Sequence, residues 1–158
     1  MSEVTQKPFI VLGADHGGFE HKEAIKQWLT EQGYLIHDCG ATVLDPTDDY
    51  PVFAQAVAKE LLKLQNQGTS ALGILLCRSD AGVVIAANRF SHIRAVGIMT
   101  QEQAEHARRH NDANVVAFSG DWMDMPLIKE CIQICIETPF LAEPRHVRRI
   151  EQLSVLPN

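Results

Sequence analysis

Five short apolar runs, separated by stretches of helical periodicity, constrain this chain more than any other feature. They are Phe9–Leu12, Leu35–Cys39, Leu72–Cys77, Ala95–Met99 and Val115–Ser119. Short, nearly unbroken apolar runs are the mark of parallel strands covered on both faces. Helices are predicted between them. Phe19–Gln32 carries Phe19, Ile25, Trp28 and Leu29 and ends at Gly33, a suitable C-cap. Pro51–Gln65 places Phe53, Val57, Leu61 and Leu64 on one side, with Pro51 in its first turn. Ala81–Asn88 reads as a buried helix, and Thr100–His110 opens on a capping box, Thr100 to Gln103. Pro126–Glu137 and a basic tail, Pro144–Leu153, complete the set. Strand alternating with helix predicts an α/β fold, a three-layer, Rossmann-like doubly wound sheet of five parallel strands. A single domain over residues 1–158 is expected, with 1–7 flexible and a C-terminal helix.

A chain of 158 residues suits one domain with a sizeable core. Its net charge of −6 argues against general nucleic-acid binding. No apolar stretch is long enough to span a membrane. The N-terminal residues 1–7 lack the apolar centre of a signal peptide, so a reducing cytoplasm is expected, with the four cysteines as thiols. Cys131 and Cys135 are spaced to share a helix face, as a metal pair would. With Ile128 and Ile132, however, they form a core stripe, and that reading is preferred.

The chemistry gathers where strands end. Cys77 closes an apolar run and is followed by the turn Arg78-Ser79-Asp80 and the start of a helix. In an open α/β sheet, the carboxyl edge of the strands is where ligands bind. Helix N–H groups there favour a thiolate or an anion. The first run leads in the same way into Gly13-Ala14-Asp15-His16-Gly17-Gly18. Its glycines allow a ligand to approach the backbone. The two turns lie side by side if their strands are neighbours. A dinucleotide fingerprint fails, because position 15 is Asp where glycine is needed. Ser79 lacks the Gly-x-Ser-x-Gly elbow of a hydrolase.

Three other segments are candidates. The connection Gly40–Tyr50 holds Pro46, Asp45, Asp48 and Asp49, and its length suits an active-site rim or a plain surface loop. His110 and Asn111 end the fourth predicted helix and are expected near the strand–helix switch region. His106 and His110 have metal-pair spacing without an evident third ligand. Arg145 and Arg149, one helical turn apart, suit a phosphate or form a solvated basic face. Together these groups suit proton transfer beside a carbonyl. A base takes the carbon-bound proton, donors hold the enediolate oxygen, and an acid–base group opens a cyclic sugar. That chemistry calls for no redox cofactor and no metal.

Six segments then carry a resemblance: Gly-Ala-Asp-His-Gly-Gly-Phe-Glu (13–20), Asp-Tyr-Pro (49–51), Gly-Ile-Leu-Leu-Cys (73–77), Ile-Ala-Ala-Asn-Arg (85–89), His-Asn-Asp-Ala-Asn-Val (110–115) and Arg-His-Val-Arg-Arg (145–149). From Phe9 to about Leu153 the chain resembles the ribose-5-phosphate isomerase B family, which includes the galactose-6-phosphate isomerase subunits. The resemblance implies cofactor-free interconversion of ribose 5-phosphate and ribulose 5-phosphate through an enediolate. It implies Cys77 as base, with Ser79 and the 78–82 turn, including Arg78 and Gly82, around the enediolate. It pairs Asp15 with His110 for ring opening and sugar binding. His16, Arg145 and Arg149 are implied phosphate contacts, and Tyr50 and Asn111 substrate contacts. The implied assembly is a homodimer with shared sites at its interface, or a tetramer built from it. No nucleic-acid or membrane partner is implied.

Two turns depart from the family pattern. Where relatives read Gly-Thr/Ser-Gly-x-Gly after the cysteine, this chain has Arg78-Ser79-Asp80-Ala81-Gly82. Fewer glycines leave the backbone less freedom to form an anion nest. Asp80 is expected either to raise the Cys77 pKa or to cap the next helix, with Arg78 as a partner for it. Many relatives carry Arg after the fifth strand, where this chain has Asp121. Two alternatives stay open: an isomerase of a different sugar or sugar phosphate, and a non-catalytic paralogue or subunit that binds sugar phosphate.

Overall fold

All five apolar runs are strands in the computed structural model, which describes residues 7–155. They are β1 (Phe9–Ala14), β2 (Ile36–Asp38), β3 (Ala71–Cys77), β4 (Ala95–Gly97) and β5 (Val115–Ser119). The helices are α1 (Phe19–Glu31), α2 (Tyr50–Asn66), α3 (Ala81–Ala87), α4 (Gln101–Asn111), α5 (Met125–Glu137) and α6 (Pro144–Ser154). Of the segment expected to be flexible, residues 1–6 lie outside the described residues. Lys7 is described, and its ammonium lies 4.8 Å from the centre of the Tyr34 ring.

The strands form one parallel sheet in the order β2-β1-β3-β5-β4. β2 and β4 are shorter than expected because they are the sheet edges and pair on one side only. Side chains alternate between two apolar layers. On one face Ile10, Leu12, Ile74, Leu76, Val116 and Phe118 pack with Ile25 and Leu29 of α1, Ala104 of α4, and Ile128 and Ile132 of α5. On the other, Val11, Leu75, Cys77 and Ala117 meet Val57 and Leu61 of α2 and Val83 of α3. Cys131 and Cys135 are fully buried in the first layer, and burial pushes their thiols up to about 11 and about 12. All four cysteines are free.

Local chemistry sets the helix ends. Gly33, at φ 79°, terminates α1, and the Tyr34 N–H reaches back to the Leu29 carbonyl at 3.1 Å. Thr100 Oγ1 accepts from the Gln103 N–H at 3.2 Å, while Gln103 Oε1 accepts from the Met99 N–H at 2.7 Å. This reciprocal box thus reaches one residue further back than the usual form. Among the described residues no helix is long and apolar enough to cross a membrane.

The topology places the chemistry. β1 pairs with β3 from Phe9↔Ala71 to Ala14↔Leu76, and β3 pairs with β5 up to Cys77↔Ser119. The turns after these three neighbouring strands therefore open side by side on one edge of the sheet.

Candidate functional site

Cys77 is the last residue of β3, 5% exposed, and faces α3. The backbone N–H groups of Val83, Ser79 and Asp80 are directed at its sulfur and favour the thiolate. Burial outweighs them and, with the nearby Asp15 charge, raises the thiol pKa above the ordinary 9.0. α3 has only seven residues, so these N–H groups matter more here than its macrodipole.

The turn keeps a positive-φ backbone although two glycines are replaced. Asp80 adopts φ 65°, ψ −34°, a conformation that L-residues rarely occupy. Its carboxylate neither caps α3 nor stands as the main charge on Cys77. It lies instead over Gly97 at the end of β4, where a Cβ would approach Asp80 Oδ2 to 2.8 Å. Nor does Arg78 pair with Asp80, because the Arg78 Nε donates to Asp121 Oδ2 at 3.0 Å. Arg78 of the first departing turn and Asp121 of the second thus form one exposed ion pair. The backbone reinforces it: the Asp121 N–H donates to the Arg78 carbonyl at 3.1 Å, and the Gly120 N–H to the Cys77 carbonyl at 2.8 Å. Ser119 Oγ, buried, donates to the Arg78 carbonyl at 2.6 Å.

The turn after β1 meets this edge from the other side. Asp15 is 5% exposed, and its Oδ1 accepts from the N–H groups of Gly17 (3.0 Å) and Gly18 (3.3 Å). Burial nevertheless raises the Asp15 pKa. Gly17 sits against Arg78, and a Cβ there would lie 2.2 Å from Arg78 Cγ. The connection Gly40–Tyr50 does reach this rim. Asp48 Oδ1 accepts from both the His16 backbone N–H (3.0 Å) and its ring Nδ1 (2.6 Å). One ligand atom from each of Asp15, His16 and Asp48 lies within 4.8 Å of the others, the spacing a metal site needs. Nδ1 and Asp48 are already committed to each other in this arrangement. Tyr50 opens α2 with its ring against Gly82, where a Cβ would come within 2.8 Å.

Asp15, His16, Tyr50, Cys77, Arg78, Ser79 and Gly82 are thus brought together. His110, Asn111, Arg145 and Arg149 are not part of that group, and the expected place of His110 and Asn111 near the switch edge is corrected. β4 and β5 run parallel, so α4 must carry the chain back across the sheet. Its eleven residues span roughly 16 Å. Asn111 then lies near Val115, at the start of β5, whereas Cys77 pairs with Ser119 at the end of that strand. At the far edge His110 stacks on His146 of α6, with ring centres 4.9 Å apart, and meets His106 edge-on at 4.3 Å. Burial, then the neighbouring imidazoles and Arg109 and Arg145, lower the His110 pKa. The third imidazole absent from the metal-pair reading is therefore His146, but it stacks on His110 instead of joining His106 and His110 around a common point. Arg145 and Arg149 are exposed on α6, and the Arg145 Nε donates to Glu143 at 2.8 Å.

Sequence reasoning assigned no role to Asp48 or His146. Asp48 was legible only as an acid on a long loop, and His146 only as part of a basic motif.

The family described as Ribose/Galactose Isomerase matches residues 10–153. The chain is 35% identical over 145 residues to ribose-5-phosphate isomerase B of Mycolicibacterium paratuberculosis, covering 92% of this chain and 89% of that one. The crystal structure of a ribose 5-phosphate isomerase from Thermotoga maritima superposes with a TM-score of 0.87 at 33% identity, covering 93% of this chain and 97% of that one. Ribose-5-phosphate isomerase B of Mycoplasma genitalium, crystallised with bound ribulose-5-phosphate, gives a TM-score of 0.84 at 30% identity, covering 92% and 93%.

Proposed function

The chain belongs to the ribose/galactose isomerase family, and from that premise we propose that it interconverts ribose 5-phosphate and ribulose 5-phosphate. The observation that carries this reading is a nearly buried thiol ringed by three backbone N–H groups, beside the Asp15–His16 turn. Cys77, as thiolate, removes the proton from one of the two carbons that exchange the carbonyl and returns it to the other. Ser79, through its hydroxyl, and the N–H groups of the 78–82 turn that are not directed at the sulfur hold the enediolate oxygens. Asp15, its pKa raised by burial, and His110, its pKa lowered by burial and then by the neighbouring imidazoles and arginines, exchange the protons that open the sugar ring. Tyr50 and Asn111 contact the sugar. His16, Arg145 and Arg149 hold the phosphate, with Arg78 beside them.

These roles require a second copy of the chain. One chain carries the thiol at one edge of its sheet and His110, Asn111 and the α6 arginines at the other. A homodimer that sets the far edge of one protomer against the Cys77 edge of its partner completes two sites. The exposed Val52 and Ile85, on helices flanking the Cys77 edge, suit such an interface. Dimers pairing into a tetramer are compatible with this arrangement. Four free thiols suit a reducing cytoplasm.

The test is turnover of ribose 5-phosphate by the purified chain across pH. Because the folded thiol pKa is raised, the thiolate fraction grows as pH rises, and kcat should climb through and beyond the ordinary thiol value of 9.0. A kcat that falls across that range would remove Cys77 from the role of base. A second reading, isomerisation of a different sugar or sugar phosphate, is favoured by the Arg78–Asp121 pair, which commits one face of a guanidinium to a carboxylate. A panel of four- to six-carbon sugars, with and without phosphate, separates the two readings.

A further inference from the structure

Asp48 is unusual among the rim residues because it spends both hydrogen bonds on one neighbour. Its Oδ1 receives the His16 backbone N–H and the His16 ring, while its Oδ2 is buried with no hydrogen-bond partner. The loop is shaped to deliver it. Asp45 Oδ1 accepts from the Thr47 N–H (2.9 Å) and hydroxyl (2.7 Å), and the Asp48 N–H closes the turn on the Asp45 carbonyl at 3.2 Å. A carboxylate with an orphaned buried oxygen is costly unless a charge compensates it. The cation within reach of Oδ1 is the His16 imidazolium.

The ring has two nitrogens with different duties. Nδ1 is engaged by Asp48 and must carry a proton for that bond. Nε2 makes no hydrogen bond among the described residues. In the neutral ring it is an acceptor and repels a phosphoryl oxygen, while in the cation it is a charged donor. The choice between these states decides whether His16 attracts or rejects an anion.

We propose that Asp48 is a positioning residue, which locks the His16 ring and keeps it cationic so that Nε2–H receives the phosphoryl group of the substrate. This deepens the isomerase reading and rests on it for the substrate. The groups facing His16 are Asp48, Asp15 and Asp45, which favour the cation, and Arg78, which opposes it. The hydrogen bond to Asp48 is the largest influence and raises the His16 pKa above 6.5. Phosphate affinity is therefore retained to higher pH than an unpaired imidazole would allow. Removing the Asp48 charge moves that loss to lower pH.

The experiment follows the His16 ring by NMR through a pH titration in the full chain, in Asp48→Asn and in Asp48→Ala, with and without inorganic phosphate. Beside it, KM and kcat for ribose 5-phosphate are measured at about pH 6 and about pH 8, on either side of the imidazole range. Asp48→Asn keeps an oxygen acceptor for both hydrogen bonds and removes only the charge. Its His16 should titrate at lower pH than in the unmutated chain. Its KM should be close to the unmutated value at the lower pH and about tenfold higher at the upper one, with the loss falling on KM more than on kcat. Asp48→Ala should raise KM at both. The proposal is overturned if His16 titrates identically with Asp or Asn at position 48. It is equally overturned if the Asn variant raises KM by one factor at both pH values, the result of a mere loop anchor. If the unmutated chain fails to turn over ribose 5-phosphate, the substrate reading falls. The His16 titration and the shift of its ring by inorganic phosphate then decide the role of Asp48 on their own.

Discussion

Cys77→Ala should lower turnover of ribose 5-phosphate by roughly a hundredfold to ten-thousandfold and leave the fold intact. Loss of a positioned general base costs about that much, equivalent to about 2.7–5.5 kcal/mol of barrier. The fold should survive because the thiol is small and sits at the end of β3, in a layer held mainly by larger side chains such as Val57, Leu61 and Leu75. Substrate binding should persist, because His16 and the α6 arginines do not depend on the thiol. Cys77→Ser should be nearly as slow, since a hydroxyl in the same nest ionises far less readily than a thiol. Kinetics and circular dichroism on the same preparations check both points. An alanine variant with more than about a tenth of the original kcat would mean that another group takes the carbon-bound proton.

Gly18→Ala should damage stability and activity together. Gly18 caps α1 directly after the Asp15–His16 turn, and its φ of −111° is open to any residue. The constraint is space. A Cβ there would lie 2.6 Å from the carbonyl carbon, the carbonyl oxygen and the Cβ of Leu76, in the middle of the sheet. Backbone at that distance cannot rotate aside, so either α1 lifts or β3 shifts. We expect a loss of about 3 kcal/mol, read as a drop in thermal midpoint of roughly 9 °C. Because Leu76 precedes Cys77, and Gly18 donates to Asp15, the same displacement moves the acid relative to the base. Thermal unfolding beside kcat/KM is the check. Unchanged values in both would mean that this close approach is not rigid.

The layer order and the strand-end chemistry were legible because both follow from local rules. Apolar runs such as Leu72–Cys77 declare buried parallel strands, Gly33 declares a helix end, and a polar turn after each run declares the ligand-binding edge. The neighbourhood of β1 and β3, needed to bring Asp15 to Cys77, was left conditional and is met by the sheet order. What could not be read depended on tertiary direction. His110 follows a helix and precedes a strand, and sequence adjacency alone placed it with the other polar turns. Only the parallel pairing of β4 with β5 forces α4 back and carries His110 to the opposite edge. The partner of Arg78 was misjudged for a similar reason. Asp80 is its neighbour in sequence, but strand pairing brings Asp121 beside it from 43 positions away. Asp48 stayed hidden because a long loop announces its length and not its landing point.

That separation of His110 from Cys77 is the central claim, and mixing two inactive variants tests it most directly. Cys77→Ala and His110→Asn, each inactive alone, are co-expressed with different tags or unfolded and refolded together. If each site takes its thiol from one protomer and its imidazole from the other, a mixed dimer holds one doubly damaged site and one intact site. Random pairing should then restore about a quarter of the unmutated activity, concentrated in the doubly tagged fraction. If both groups serve a site within one chain, every site in the mixture keeps a defect. Activity of the doubly tagged fraction no higher than that of either variant would contradict the shared site.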